Sequence, residues 1–407
     1  MLKSISILFL AIVMAACGTA PEKKVMIILT DGVPADVLES VDTPILDQIA
    51  AQGGYTRAYQ GGGKDEYTQT PTISAPGYMN MITGVWGNKH NVWGNSVRNP
   101  NYNYWNIFRT VKTANPEMTT AIFSTWEDNR TKLVGEGKPE AGNFKFDYSF
   151  DGFELDTVAF PHTDDRTFMF DIDEKVTKGT ADYVLSNAPN LSWVYLEFTD
   201  DMGHMYGDSP QMIEAVKGMD NQVGRIWAAI QQREKEFNED WMIIITTDHG
   251  RGEETGKGHG GQSERERITW IVTNQNDLND RFENNPPVVD VAASALRFLD
   301  IEVPTQIKEE MDGIPFIGDI SIMNAKTRTE GNELTLTWDV ADKSGSVEIY
   351  QSTTNNFAKG GKDEYSLLGK AEVKDGQFKT AITFPTGTTK LLLKAPHNWL
   401  NVWVIVE

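Results

Sequence analysis

The sequence MIIITTDHGRGEETGKGHGG occupies residues 242–261. Its first residues are apolar and mostly β-branched, a pattern that predicts a buried strand of a parallel sheet. Asp248 and His249 follow this strand, and His259 lies in a glycine-rich loop after them. Open α/β sheets bind ligands at the carboxyl ends of their strands, and one carboxylate with two imidazoles suits zinc better than Mg²⁺ or Ca²⁺. The alternative is a polar turn whose histidines bond the local backbone.

Two further apolar runs end in the same kind of side chain. Residues 25–30 read VMIILT and precede Asp31, and residues 191–199 read LSWVYLEFT and precede Asp200. His204 lies four residues after Asp200, so one helical turn brings both side chains to one point. Helical patterns separate the strands, which predicts an α/β fold with a mixed or mostly parallel sheet between layers of helices. The polar strand ends are expected to converge at one edge of that sheet.

A small hydroxyl residue lies at the predicted start of a helix within residues 68–84, TQTPTISAPGYMNMITG. Pro71 and Pro76 bracket a turn around Ser74, after which residues 78–83 return to a helical pattern. A helix start offers free backbone N–H groups and the positive end of the helix dipole. Both favour an attacking oxyanion and a phosphoryl oxygen. Ordinary helix capping by Ser74 is the alternative interpretation.

The chain carries a formal net charge of −21 over 407 residues. A protein this acidic is not expected to bind nucleic-acid duplexes or an anionic membrane surface. A small anionic substrate remains compatible with the charge, because bound metal ions reverse its sign locally.

The first residues have the pattern of an export signal. Lys3 precedes an apolar run too short to span a bilayer, and residues 14–17, MAAC, contain the only cysteine. This pattern resembles a bacterial lipoprotein signal, which implies that residues 1–16 are removed, that Cys17 carries lipid and that residues 17–24 form a tether. We therefore expect an exported lipoprotein, held by its lipid alone on the periplasmic or cell-surface face of a membrane. A plain signal peptide is the alternative.

The character of the sequence changes near residue 320. Residues 25–319 contain the α/β pattern, with a loop-rich acidic stretch at 135–167 that is predicted to be an insertion rather than framework. Residues 320–407 contain alternating apolar runs separated by Gly, Asn, Asp and Pro, which predict a small, fibronectin-like β-sandwich. No motif marks its role, and contact with a glycan or another protein is the role considered for it.

In their order along the chain, the polar segments resemble the alkaline phosphatase superfamily, especially its type I phosphodiesterase and nucleotide pyrophosphatase branch. Asp31 matches that family's first strand end, and residues 71–84 match its nucleophile motif. Residues 90–95, HNVWGN, match a segment that ends in asparagine. Residues 200–204 match Asp-x-x-Gly-His, and residues 247–250 match Ser/Thr-Asp-His-Gly. The resemblance implies an alkaline-phosphatase-like sheet flanked by helices.

The same resemblance implies a phosphoester hydrolase with two zinc ions. Carried over residue by residue, one zinc would be held by Asp200, His204 and His259, and the other by Asp31, Asp248 and His249. Ser74 would face both ions and attack phosphorus, forming a covalent phosphoryl-enzyme. Asn95 would donate a hydrogen bond to a phosphoryl oxygen, together with the Ser74 or Ala75 backbone amide.

The substrate class stays open between a phosphodiester and a phosphomonoester. The phosphodiesterase branch usually has threonine as nucleophile, whereas a serine, here Ser74, is more typical of phosphomonoesterases. A monoester carries an extra charge that calls for a cation; Arg130 is the candidate, with a structural ion pair as its alternative role. A diester needs an apolar surface, which an aromatic set that includes Trp93 and Trp126 would supply. The aromatic set favours a phosphodiesterase or nucleotide pyrophosphatase acting on small anionic phosphoesters.

Two other classes are weaker alternatives. A sulfatase belongs to the same superfamily, but sulfatases have arginine where Tyr78 stands, and their sites favour a single calcium ion. A metal-bearing lipoprotein without catalysis is the alternative from outside the enzymes. Against it stands a hydroxyl nucleophile together with a complete set of metal-ligand residue types.

Overall fold

The computed structural model describes residues 20–406. The predicted signal peptide at 1–16 and the predicted lipidation site at Cys17 lie outside the described residues. Within residues 20–406, no helix combines the length and apolar composition needed to cross a bilayer.

A seven-stranded mixed sheet forms the centre of the larger domain, in the order β2-β7-β6-β1-β5-β3-β4. Its strands are β1 (Glu22–Thr30), β2 (Gly54–Tyr59), β3 (Thr120–Ser124), β4 (Tyr148–Phe150), β5 (Leu191–Leu196), β6 (Glu239–Thr246) and β7 (Ile268–Thr273). The strands from β4 across to β6 are parallel, and β7 runs antiparallel to both β6 and β2. The predicted mostly parallel sheet is confirmed. Because β1 begins at Glu22, the end of the predicted 17–24 tether belongs to the sheet.

Helices cover both faces of this sheet. They are α1 (Ala35–Leu38), α2 (Pro44–Ala50), α3 (Ser74–Thr83), α4 (Gly87–His90), α5 (Ile107–Ala114), α6 (Thr167–Asn187), α7 (Phe198–Tyr206), α8 (Pro210–Glu236), α9 (Glu264–Arg267), α10 (Asp280–Glu283), α11 (Asp290–Phe298) and α12 (Thr305–Lys308). A short π-helix spans Asn129–Val134.

Strand β1 shows why its sequence is continuously apolar. Val25, Ile27 and Leu29 pack in the core shared with α3, α5 and α11, whereas Met26 and Ile28 pack in the core shared with α6 and α8. Successive side chains of a strand point to opposite faces of the sheet, and here helices cover both faces. All of these positions must therefore be apolar, and a continuous apolar run is the pattern of a buried parallel strand.

The stretch at 135–167 belongs partly to the framework. Its residues Tyr148–Phe150 form β4, which extends the sheet by pairing with β3. Asp147, just before β4, accepts a hydrogen bond from the Thr120 backbone N–H at 2.7 Å and forms an ion pair with Lys112 at 3.1 Å. The prediction of an insertion outside the framework is wrong for this segment, since β4 is part of the sheet. The sequence did not indicate this strand because three residues are too few to show an alternating pattern.

Residues from 322 onward form a second, all-β domain. Its strands are β8 (Ile322–Glu330), β9 (Glu333–Val340), β10 (Ser346–Ser352), β11 (Ser366–Glu372), β12 (Gln377–Ala381), β13 (Gly387–Lys394) and β14 (Trp399–Val406). They form antiparallel sheets of four strands, β11-β10-β13-β14, and three strands, β12-β9-β8. Leu336, Trp338, Ile349 and Leu393 lie in its core. The predicted all-β domain is confirmed.

Candidate active site

Three adjacent central strands carry most of the predicted site residues to one edge of the sheet. Leu29 of β1 lies opposite Thr246 of β6, and Thr30 lies opposite Leu196 of β5. The three strands thus end level with one another, so Asp31 and Asp248 emerge side by side. Asp200 lies just beyond β5, within α7, because β5 ends earlier than the sequence predicted. The structure therefore brings the ends of β1, β5 and β6 together at the carboxyl edge of the sheet, as expected.

The first group of candidate ligands is Asp31, Asp248 and His249. One potential ligand atom from each lies within 4.8 Å of the others. His249 Nε2 is 3.5 Å from Asp31 Oδ1 and 3.2 Å from Asp248 Oδ2. These three atoms are buried and have no hydrogen-bond partner in the structure. Buried polar atoms are normally paired, so three orphaned acceptors facing one point fit a bound cation.

The other oxygen of each carboxylate in this group is held by a donor. Asp31 Oδ2 accepts from the hydroxyl of Tyr195 at 2.7 Å and also from the hydroxyl of Tyr78. Asp248 Oδ1 accepts from the Gly32 backbone N–H at 3.1 Å. These hydrogen bonds orient each carboxylate so that its second oxygen faces His249.

The second group consists of Asp200, His204 and His259. His204 Nε2 lies 3.2 Å from Asp200 Oδ2 and 3.1 Å from His259 Nε2. His249 lies between the two groups, since its ring stacks on that of His259 at 3.7 Å and its ligand atom is also within 4.8 Å of those of Asp200 and His259. The His204 side chain is 47% exposed, which places this group on the solvent side of the site.

Backbone carbonyls determine which nitrogen the histidines present. His259 Nδ1 donates to the Thr72 carbonyl at 2.9 Å, and His249 Nδ1 donates to the Gly250 carbonyl at 2.9 Å. Each Nε2 is then left with its lone pair directed into the cluster. Metal-ligating histidines show this arrangement, in which the second nitrogen donates to a carbonyl or carboxylate.

Burial dominates the protonation of these groups. It raises the pKa of Asp31 well above its ordinary value, with further repulsion from Asp248, and it raises the pKa of Asp248 itself to about 7. It lowers the pKa of both His249 and His259, so their imidazoles are neutral. Burying ionised carboxylates is costly without a cation. A bound divalent metal ion would favour their ionised form, and it would also require the neutral imidazoles that burial already favours.

Ser74 is the first residue of α3 and is buried. The preceding loop is tied to the His259 loop, because the Thr72 hydroxyl donates to the Gly261 carbonyl at 2.8 Å and accepts from the Gly260 N–H at 3.0 Å. On the following turn, a Cβ added to Gly77 would lie only 2.9 Å from Asp248 Cβ. Glycine at this position therefore allows the helix start to approach the first ligand group closely.

Asn95 lies at the same helix start. Its Oδ1 accepts from the Ala75 backbone N–H at 3.0 Å. The side chain of Trp93, two residues earlier, is 46% exposed, and its indole donates to Asn91 at 2.9 Å. Trp126 is less accessible, since its ring packs edge-on against Tyr78 at 6.2 Å, behind Asp31.

Arg130 does not present a free guanidinium. It pairs with Asp151 at 2.7 Å, with Glu136 at 2.7 Å and with Glu127 at 3.1 Å. All three guanidinium nitrogens are engaged by carboxylates, which is the arrangement expected of the alternative role, a structural ion pair.

Sequence reasoning missed three residues that hold the site together. Tyr78 and Tyr195 bond Asp31, and Arg251 bonds Asp200. Each lies next to or within a motif that was identified, but a tyrosine in a helix or strand reads as core, and an arginine in a glycine-rich loop reads as surface. No local signal distinguishes them.

The chain belongs to the type I phosphodiesterase / nucleotide pyrophosphatase family, whose model matches residues 25–315. It is 24% identical over 288 residues to GPI ethanolamine phosphate transferase 1 of Saccharomyces cerevisiae, covering 67% of this chain and 29% of that protein. It is 25% identical over 256 residues to ectonucleotide pyrophosphatase/phosphodiesterase family member 7 of Mus musculus, covering 59% of this chain and 53% of that protein. The chain thus spans less than two thirds of the length of either relative.

The fold is alkaline-phosphatase-like. The structure of a putative sulfatase from Bacteroides thetaiotaomicron aligns with a TM-score of 0.52 at 12% identity, covering 85% of each chain. At this identity the likeness concerns the fold alone. The family match defines the class of protein, the type I phosphodiesterase / nucleotide pyrophosphatase family.

Proposed function

We propose that this protein hydrolyses phosphodiesters, with two zinc ions as cofactors and Ser74 as the nucleophile. One observation carries the proposal: among residues 20–406, the buried atoms Asp31 Oδ1, Asp248 Oδ2 and His249 Nε2 have no hydrogen-bond partner, and they face one another beside the first turn of α3. The second group, with Asp200, lies next to it across the stacked rings of His249 and His259. Two adjacent cation positions beside a hydroxyl suit in-line displacement at phosphorus.

In the proposed reaction, Ser74 Oγ loses its proton to solvent and forms a bond to phosphorus, while the bond from phosphorus to the leaving alcohol or phosphate breaks and the leaving group takes up a proton from solvent. Zinc ions bound to the two groups would supply the positive charge that favours the ionised serine and stabilises the attacked phosphoryl group. Water then attacks phosphorus from the side where the leaving group departed, which releases Ser74 and a phosphomonoester product.

Asn95 is proposed to bind a non-bridging phosphoryl oxygen. Its Oδ1 accepts from the Ala75 N–H at 3.0 Å, and this bond determines which end of the amide is the donor. The Nδ2 group is the end left to donate to a substrate. This modifies the predicted role of the Ala75 amide, which is engaged by Asn95 in the structure.

Two features favour a diester over a monoester. The guanidinium of Arg130 is engaged by three carboxylates and does not supply the cation that a dianionic monoester calls for. Trp93 is 46% exposed and lies in the same loop as Asn95, where it offers an apolar surface for the second substituent of a diester. A nucleotide or another small anionic phosphoester is the proposed substrate.

The experiment is a paired turnover assay with zinc restored, comparing p-nitrophenyl phosphate with bis- and nucleoside-type p-nitrophenyl diesters. We expect kcat/KM to be higher for the diesters, and Ser74→Ala to lower it by at least about a thousandfold. Ser40→Ala, at an exposed serine whose hydroxyl caps a local carbonyl, is the matched control. A preference for the monoester would favour an alkaline-type phosphomonoesterase. Absence of turnover with zinc bound would favour a non-catalytic metal-binding lipoprotein.

A transferase assay separates two outcomes of the same intermediate. The yeast relative is named a phosphate transferase, so an alcohol in place of water would give a new diester rather than a monoester. Adding ethanolamine or glycerol to the diester assay and identifying products by ³¹P NMR tests this directly. Only the hydrolytic product is expected, and a dominant transfer product would contradict the hydrolase assignment.

We also propose that residues 1–16 direct export and that Cys17 is lipidated, which would place the enzyme on the periplasmic or cell-surface face of a membrane. Expression in a bacterium with labelled fatty acid should label the wild-type protein and not Cys17→Ala. Release of both proteins without label would instead support a plain signal peptide.

A further inference from the structure

A buried arginine lies behind the second ligand group. The Arg251 side chain is 1% exposed, and its guanidinium donates to the Asp200 carbonyl at 2.8 Å and to the Gly32 carbonyl at 3.1 Å. It also donates to the Lys257 carbonyl at 3.3 Å and to the carboxylate oxygen Asp200 Oδ1. Lys and Arg are almost never fully buried without such partners, so this position is specified by the site around it.

Two glycines make room for this guanidinium. A Cβ added to Gly32 would lie 2.5 Å from a terminal nitrogen of Arg251, and a Cβ added to Gly203 would overlap the guanidinium itself. Gly32 directly follows Asp31, and Gly203 directly precedes His204. The arginine therefore fills a space formed by the two segments that carry candidate ligands of both groups.

The arginine divides the two oxygens of Asp200 between different roles. Oδ1 accepts from Arg251, while Oδ2 lies 3.2 Å from His204 Nε2 on the side of the ligand group. The two oxygens thus have different partners, and the carboxylate is fixed in one orientation.

The two ligand groups therefore differ in charge. The first contains two carboxylates, Asp31 and Asp248, which are oriented by uncharged donors. The second contains one carboxylate, Asp200, whose charge is offset by a buried cation. Less ligand charge means weaker cation binding, so the geometry of the remaining ligand matters more at the second group than at the first.

We propose that Arg251 is a positioning residue that fixes Asp200 as a ligand through Oδ2 alone, and thereby sets the affinity of the second cation position. The inference rests on the proposed two-zinc function, and it concerns how that site is assembled. Arg251 holds the Asp200 backbone through the carbonyl and its side chain through Oδ1, so both rotation and displacement of the ligand are restricted. Outer partners of this kind usually change metal affinity about ten- to a hundredfold when removed.

The test is an equilibrium zinc titration of metal-free protein against a chromophoric chelator, which resolves stepwise affinities without any turnover. We expect wild type to bind two equivalents. Arg251→Met should keep the first affinity within about threefold and weaken the second about ten- to a hundredfold. Arg251→Lys should fall between them, because lysine supplies the charge but not the forked donors that reach both the carbonyl and Oδ1.

The matched control is Arg281→Met, which removes another buried arginine from a buried carboxylate, Asp290, away from the ligand groups. It should lower stability yet leave both zinc affinities unchanged. If wild type binds two equivalents and neither Arg251 variant changes the second affinity, or either tightens it, the positioning role is overturned while the proposed function stands. If wild type binds fewer than two equivalents, the two-zinc function itself is contradicted, and this inference with it. If Arg251→Met does not fold, the absorption spectrum of cobalt-substituted Arg251→Lys is the test. A spectrum identical to that of cobalt-substituted wild type would overturn the inference.

Discussion

Tyr195 and Tyr78 illustrate how single hydroxyl groups prepare a ligand. Their hydroxyls are 3.0 Å apart, and both donate to the same oxygen of Asp31. The other oxygen, Oδ1, then faces His249 without a partner of its own. Because a carboxylate with one oxygen held in place has little rotational freedom, the pair reduces the entropy lost when a cation binds.

Removing one of these hydroxyls should weaken the first ligand group. Tyr195→Phe deletes a buried hydrogen bond to a carboxylate, and such bonds contribute about 1.5–3 kcal/mol. We expect zinc affinity at the first equivalent and kcat/KM both to fall about tenfold, measured by chelator competition and diester turnover. Tyr55→Phe, which deletes a hydroxyl bond to surface Glu39 at 2.6 Å, is the control and should change neither quantity. Equal effects of the two substitutions would contradict the role of Tyr195.

His90 is a buried histidine held in one neutral form. Its Nε2 donates to Asn80 Oδ1 at 2.8 Å, and its Nδ1 accepts from the Val92 N–H at 3.0 Å. Burial lowers its pKa from 6.5 to about 3. The folded state therefore resists protonation of this ring, whereas the unfolded chain does not.

This difference makes stability depend on pH. Between pH 6.5 and about 3 the unfolded chain binds the extra proton, so the free energy of unfolding should fall by up to about 1.4 kcal/mol per pH unit as pH decreases. His90→Gln lacks this titration, so its stability deficit relative to wild type should shrink as pH falls from 7 to 5. Urea unfolding at each pH measures both curves. A deficit that stays constant with pH would show that His90 titrates normally in the fold.

At the scale of elements, the start of α3 depends on how closely it approaches the end of β6. Gly77 lies in the first turns of α3, and a Cβ there would meet Asp248 Cβ at 2.9 Å and the Asp248 carbonyl oxygen at 3.1 Å. Helix propensity alone would favour alanine at this position by about 1 kcal/mol. The tertiary contact opposes that preference.

Gly77→Ala should therefore reduce activity in spite of its better helix propensity. The added methyl group pushes the first turn of α3, and Ser74 with it, away from Asp248, and a shift of about 1 Å can cost a hundredfold in rate. Diester kcat/KM and the zinc affinities are the measurements. Gly94→Ala, whose Cβ would meet nothing within 4 Å, is the control. Full activity in Gly77→Ala would show that activity does not depend on the close approach of α3 to Asp248.

Arg130, in the π-helix, connects this helix to the segments that precede and follow it. Its partners Glu127, Glu136 and Asp151 come from the loop after β3, from the loop after the π-helix and from the end of β4. The arginine therefore ties the edge strand β4 to the framework, which explains why the 135–167 stretch has a defined structure.

Arg130→Met should destabilise the fold rather than impair chemistry. Three partly buried carboxylates would lose their common cation, and we expect a loss of about 1–3 kcal/mol in the free energy of unfolding, less than for a fully buried pair because solvent reaches these groups. Diester kcat/KM at low temperature should stay within about threefold of wild type. Arg57→Met, at an exposed pair with Glu39, is the control. Selective loss of monoester turnover at unchanged stability would return Arg130 to the active site.

At the scale of the whole molecule, the β-domain is joined to the α/β domain by buried charges. Lys390 of β13 is 2% exposed and pairs at 2.6 Å with both Glu310, beyond α12, and Asp363. Trp403 of β14 packs edge-on against Tyr67 at 5.1 Å, in the loop that leads to Ser74. These contacts connect the second domain to the segment that leads to Ser74.

Removing the central cation of this interface should lower the stability of the whole molecule. Lys390→Met leaves two buried carboxylates without their shared cation, at a cost of about 3–5 kcal/mol. Wild type is expected to unfold in one cooperative transition, and the variant to show the β-domain separating first, by denaturant titration and limited proteolysis. Lys394→Met, at a more exposed pair with Glu309, is the matched control. Coincident transitions in both variants would show that the interface does not depend on Lys390.

The sequence by itself determined the central strands and most of the polar residues at their ends. The runs before Asp31 and Asp248 are continuously apolar because both faces of the sheet are covered, and that requirement is written into consecutive residues. The spacing of Asp200 and His204 is local as well, since a single helical turn relates them. Local physics of this kind can be read without knowing the fold.

Only the tertiary structure decided what lies behind those residues. Arg251 bonds Gly32 from 219 positions away, and Tyr195 bonds Asp31 from 164 positions away. Arg130 has no local signature that separates a substrate contact from a structural ion pair, and β4 is too short for a periodic pattern. The roles of these residues depend on which distant groups are buried next to them, because an unpaired buried charge is costly. Those neighbours are determined only when the chain folds.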